Sequence, residues 1–168
     1  MRFYKFCRGA YVLPLLTVVF TLGLSNFALA DEDIDEILAQ PIDEVSAELL
    51  DVTFRVLEEM DIIESYSELD VEEGSGLIGY QVIYEGLKYI VVADNLDVHV
   101  ACTFEDKPSR SRINEWNKDH RFTRAFITEE GKARIMCDIG ATGTTVRNLL
   151  ANLALGLNSG KKFYNEVL

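Results

Sequence analysis

Leu77-Ile-Gly-Tyr-Gln-Val-Ile-Tyr84, Leu87-Lys-Tyr-Ile-Val-Val-Ala93 and Leu96-Asp-Val-His-Val-Ala-Cys-Thr-Phe104 are three runs rich in β-branched and aromatic residues, parted only by Glu85-Gly86 and Asp94-Asn95. Breaks of two residues leave no room for a crossover, so the runs read as a meander of antiparallel hairpins. In the third run Val98, Val100, Cys102 and Phe104 alternate with His99, Ala101 and Thr103. One face is therefore core and the other is wetter. His99 and Cys102 fall on opposite faces, so within this strand the imidazole cannot activate the thiol as a nucleophile.

Toward the C-terminus, Pro108 breaks the sheet, and Ser109 or Ser111 caps a short helix that turns Ile113 and Trp116 to one side. Two further strands are expected over about 124–128 and 133–139, joined through Glu129-Glu130-Gly131. A last amphipathic helix begins after Gly143, capped by Thr144 or Thr145, with Val146, Leu149, Leu150, Leu153 and Leu157 at helical spacing. Gly156, Asn158 and Gly160 are expected to end it. Toward the N-terminus, residues 61–76 read as a solvated acidic connector with turn formers at Gly74-Ser75-Gly76. Before it Val45, Leu49, Val52, Val56, Leu57 and Met60 form one apolar stripe of a helix that follows Pro41, with Asp43 placed as its cap. The order is α-βββ-α-ββ-α. Without βαβ alternation this predicts an α+β fold, an antiparallel sheet of about five strands with helices packed on it.

The first thirty residues have a different character. Arg2, Lys5 and Arg8 precede an apolar run from Val12 to Leu24, and the segment closes on Ala28-Leu29-Ala30. The run is shorter than the roughly 20 residues that span a bilayer, and small residues precede the cut, as in a secretory signal. The expected organisation is a signal over 1–30 cleaved after Ala30, an acidic lead-in over 31–40, and one domain over 41–168, with no membrane span after cleavage. Removing that segment leaves 13 Lys and Arg against 28 Asp and Glu, a net charge of −15. Such a charge argues against nucleic-acid binding. The signal predicts a working domain in the periplasm or outside the cell, where a disulfide between Cys102 and Cys137 is permitted; the alternative is two buried thiols.

Sites for chemistry are scarce. His99 and His120 lack the neighbouring ligands that a metal needs. Gly140-Ala-Thr-Gly143-Thr-Thr before a helix lacks the lysine of a phosphate loop and reads as a turn with an N-cap. No catalytic residues and no cofactor are expected. Residues 107–124 depart from the acidic background. Lys107, Arg110, Arg112, Lys118, Arg121 and Arg124 face only Glu115 and Asp119, with Trp116 at the centre and Phe122 beside it. Aromatic groups flanked by arginine are common at interaction surfaces. Arg110, Arg112, Trp116, Asn117, Arg121 and Phe122 are thus candidate partner-binding residues; the alternative is a solvated helix whose cations meet the chain's own acids while Trp116 fills the core.

The same stretch, Ile113-Asn-Glu-Trp-Asn-Lys-Asp-His-Arg-Phe-Thr-Arg-Ala-Phe126, followed by Gly131, Asp138, Gly143 and Phe163, resembles the YbjN-like domains, a family of bacterial sensory transduction regulators. The likeness extends in weaker form from about residue 80 to the C-terminus; Val92-Ala93-Asp94 departs from the aromatic-asparagine-cysteine sequence frequent in the family. The resemblance implies a fold like that of type III secretion chaperones and no enzyme activity; chaperones of that fold often dimerise and bind extended partner segments but are cytoplasmic, so their role is not carried over to an exported chain, for which a protein partner is expected and a homodimer is one form. The expectation is a non-enzymatic exported module that binds a protein in the envelope. Two alternatives stand beside it: an exported enzyme, or an envelope factor that engages anionic lipid or polymer through residues 107–124.

Overall fold

A computed structural model describes residues 36–72 and 74–168. The expected signal segment and half of the acidic lead-in, residues 31–35, lie outside the described residues. Within Leu38–Leu168, a single compact unit, the elements are helix α1 (Ala47–Glu59), strands β1 (Ser65–Leu69), β2 (Ile78–Tyr84), β3 (Leu87–Ala93) and β4 (Asp97–Phe104), helix α2 (Arg110–Asp119), strands β5 (Arg124–Ile127) and β6 (Ala133–Gly140), and helix α3 (Val146–Val167). The fold is α+β. Six strands, all antiparallel, lie in the order β1-β2-β3-β4-β6-β5.

The meander forms as its turns dictate. Glu85 and Gly86 both take positive φ, 50° and 70°, the backbone of a type I′ turn whose twist matches the flanking strands. At the next turn the amides of Leu96 and Asp97 donate to Asp94 Oδ1 at 2.8 and 2.9 Å. These bonds hold the Asp94 carboxyl below its usual range. Strand alternation then buries Tyr80, Val82, Tyr89, Val91, Val98, Val100, Cys102, Ile135, Cys137 and Ile139 on one face, where the helices pack.

Three expectations are corrected. The acidic connector contains a strand. β1 forms because Tyr66 reaches under the sheet to Phe54 and Tyr80, with ring centroids 5.6 and 6.2 Å away. Helix α1 starts later than Asp43 suggests: Ser46 is its cap, accepting from Leu49 N–H at 3.2 Å, while residues 40–45 are stitched elsewhere. Val146 N–H donates to Gln40 C=O, and Val45 N–H donates to Asn95 C=O. Helix α3 does not stop at its glycines but runs 22 residues to Val167. Gly156 and Gly160 are both buried, one over Cys137 and Val100, the other against the Tyr89 ring. They let the helix approach the sheet.

Cys102 and Cys137 are free and buried, so the permitted disulfide is not made. Val100 pairs with Cys137 and Cys102 with Ile135, which puts the cysteines on a diagonal. Diagonal neighbours lie about 7–8 Å apart, beyond the usual reach of a disulfide. Burial pushes both thiols up to about 12. Iodoacetamide at pH 8 is therefore expected to modify neither cysteine in the folded protein and both in denaturant; mass spectrometry counts the adducts.

Candidate functional site: the cationic corner around helix α2

Helix α2 begins at Ser109, whose hydroxyl accepts from Arg112 N–H at 3.3 Å. Its spacing buries Ile113 and Trp116, and from that anchoring the roles of the six candidate residues divide. Trp116 is 3 % exposed and meets Phe163 edge-on, centroids 5.1 Å apart. Its indole Nε1 is buried without a partner among the described residues. His120 stacks flat on the indole at 3.6 Å. Lys162 Nζ lies 3.0 Å from His120 Nε2 and, being a donor only, makes that nitrogen the acceptor. The ring proton then sits on Nδ1 and is donated to Trp116 C=O at 3.1 Å.

Asn117 is also committed internally. Its carboxamide donates to Ala125 C=O and accepts from Ala125 N–H, both at 2.8 Å, as a neighbouring strand would. The outer edge of β5 is closed there. Substituting Asn117 by alanine leaves both backbone groups of Ala125 without a protein partner and is expected to cost about 1–2 kcal/mol, measured as a shift in urea midpoint. Arg112 Nη2 donates to Glu166 C=O at 2.8 Å, which ties α2 to the last turn of α3.

Arg110, Arg121 and Phe122 remain at the surface, Phe122 at 44 % exposure. Lys118, which the sequence reading did not single out, stands exposed with them. Arg110, Lys118 and Arg121 make no ion pair among the described residues, whereas Arg124 lies 3.6 Å from Asp138 and His99 lies 2.9 Å from the same carboxylate. The structure thus sets half-buried His120 on the buried Trp116–Phe163 pair and leaves Arg110, Lys118, Arg121 and Phe122 of the same segment exposed.

Among the described residues two arrangements are not found. No three His, Cys, Asp or Glu side chains converge on one ion position, and no helix is long and apolar enough to cross a membrane. The turn before α3 holds no open anion cradle. Gly143 N–H donates to Ile42 C=O, Val146 N–H to Gln40 C=O and Asn148 N–H to Thr145 Oγ1. The cleft of about 220 Å³ beside the corner is lined by Arg112, Glu115, Asp119, His120 and Glu166. Arg112 and His120 are already engaged there, by Glu166 C=O and Lys162.

The fold and the corner together define an antiparallel α+β domain that carries a basic helix anchored on its last helix. Residues 66–168, more than half of the chain, match the family model YbjN, described as "Putative bacterial sensory transduction regulator". The chain belongs to the YbjN family. No curated protein matches it.

Proposed function

We propose that this chain is an exported, non-enzymatic regulatory module that binds a protein partner in the bacterial envelope through the corner formed by Arg110, Lys118, Arg121 and Phe122. One observation carries the reading. Of the residues in the basic segment, Arg112, Trp116 and Asn117 are used internally, while these four are held exposed on a rigid base. Cations and an exposed aromatic ring carried on an anchored segment suit an acidic protein surface, because the backbone that presents them needs no ordering on docking. Membership of a family described as regulators, rather than as catalysts, supports the same reading.

The test is capture of crosslinked partners from the envelope fraction by the wild-type chain and by the triple variant Arg110→Glu, Lys118→Glu, Arg121→Glu. The variant is expected to fold normally and to lose the partner; unchanged recovery would overturn the corner as the docking surface. Arg112 is left intact because its bond to Glu166 C=O supports the fold. Export is tested separately: the chain recovered from the periplasmic fraction is expected to begin at Asp31 by intact-mass measurement, the sequence Ala28-Leu29-Ala30 having been the cleavage site.

A further inference from the structure

The sheet has two edges, and the molecule treats them differently. At β5 the Asn117 carboxamide occupies both backbone groups of Ala125. At β1 the strand pairs with β2 on one side, and on its other side no group among the described residues bonds the backbone of Ser65–Leu69. Natural sheets protect exposed edges with short strands, charged side chains (lysine above all), proline, bulges or covering segments. Ser65-Tyr-Ser-Glu-Leu69 is short and carries one charge, Glu68, but neither lysine nor proline, so what guards this edge is acidic. The strand is nonetheless held firmly: Tyr66 packs between Phe54 and Tyr80, and its hydroxyl donates to Asp51 Oδ1 at 3.0 Å. Ser65, Ser67 and Glu68 are exposed.

Charge selects what such an edge accepts. Residues 51–72 carry eight acids against Arg55 alone, and Glu68, Asp70 and Glu72 are exposed along and just beyond β1. A second copy pairing β1 on β1 would bring these like charges together, which is unfavourable. A cationic strand gains where the second copy loses.

We infer that β1 is a docking edge for an extended, lysine- or arginine-rich segment of a partner protein, which adds as a seventh strand. Alternate residues of β1 turn their N–H and C=O groups outward and supply the main-chain bonds, while the acidic side chains select a basic sequence. The inference rests on the reading of the chain as a protein-binding module but uses a different surface, since β1 and β5 lie at opposite ends of the strand order. Its test therefore uses an isolated peptide probe and touches no residue of α2.

The probe is a fluorescent peptide of alternating lysine and valine, long enough to span β1, titrated into the full chain and followed by anisotropy. It is compared with its glutamate–valine counterpart and with a lysine–valine peptide N-methylated throughout, which keeps its charge but has no N–H to donate. The lysine–valine peptide is expected to bind, the glutamate form at least roughly tenfold more weakly, and the methylated form not measurably. Amide exchange at Ser65–Leu69 is expected to slow on binding. Ser67→Lys, with Ser65→Lys as a second variant and the fold of each checked by circular dichroism, is expected to weaken binding. Equal binding of the methylated peptide would reduce the effect to charge attraction and overturn the proposal. Equal binding of the glutamate peptide would overturn the selection for cations. A concentration-dependent dimer of the chain alone, dispersed by Ser67→Lys, would assign the edge to a second copy and overturn the proposal likewise.

Discussion

Replacing Gly160 by alanine is expected to destabilise the domain by about 3 kcal/mol, whereas the same change at Gly156 is expected to be neutral or to stabilise it by up to about 1 kcal/mol. Both glycines lie inside helix α3, where alanine has the better intrinsic preference by about 1 kcal/mol. The surroundings decide the sign. A Cβ on Gly156 would stand 3.5 Å from Cys137 Sγ and 3.8 Å from Val100 Cβ, ordinary contact distances. A Cβ on Gly160 would stand 2.4, 2.7 and 2.9 Å from the hydroxyl oxygen, Cε1 and Cζ of Tyr89. That ring has no room to yield, being 1 % exposed and bonded through its hydroxyl to Leu157 C=O at 2.7 Å. Accommodating the methyl group means moving the helix off the sheet or breaking that bond, and the overpacking cost exceeds the gain in helix preference. Urea midpoints of the two single variants check the contrast. Tyr89→Leu combined with Gly160→Ala should recover part of the loss relative to the sum of the two singles; strict additivity would mean that the ring is not the obstacle.

The same glycines show where the sequence was legible and where it was not. Glycine marks a helix end when it takes positive φ beyond the last turn, and it marks a close approach when it sits inside the helix. The residue type is identical, and only the partner across the gap, Tyr89, distinguishes the two. Strands β2, β3 and β4 were readable because they are runs of β-branched and aromatic residues, alternating most clearly in β4, and their turns are two residues long. β1 was not, because only Tyr66 of its five residues anchors it in the aromatic cluster, and acidic neighbours hide the strand. For the site, the cationic bias of residues 107–124 was visible, but the internal hydrogen bonds of Asn117 and Arg112 were not. A side chain that imitates a neighbouring strand leaves no mark in composition. The Trp116-Asn117 pair that carried the family likeness therefore supports the architecture of the corner, while Lys118, less conspicuous in sequence, belongs to its exposed rim.

The domain is expected to lose about 5 kcal/mol of stability between pH 9 and pH 11 under reducing conditions, enough to unfold many domains of this size. Cys102 and Cys137, each 2 % exposed, have their thiols raised from 9.0 to about 12, with burial the leading cause. A group raised in this way contributes its full stabilisation below the unfolded value, near 9. As pH climbs past that value, the unfolded chain releases protons that the native state still holds, and the contribution is lost progressively up to about 12. Each group costs about 1.4 kcal/mol per pH unit across that window, and two thiols over two units give the figure above. Burial raises Tyr89 in the same direction, with Tyr80 and Tyr84 shifted likewise, so the slope should steepen above pH 10. Urea unfolding at pH 8, 9, 10 and 11 in the presence of a phosphine reductant measures the curve. The double variant Cys102→Ala, Cys137→Ala is expected to be less stable at pH 8, through lost packing, but nearly flat from pH 9 to pH 10, with only the tyrosine-driven fall beyond. A variant that keeps the wild-type slope would show that the thiols are not the groups that titrate. The sign also bears on reactivity: two thiols kept protonated and buried are poor nucleophiles, so they serve as core side chains rather than as reactive groups.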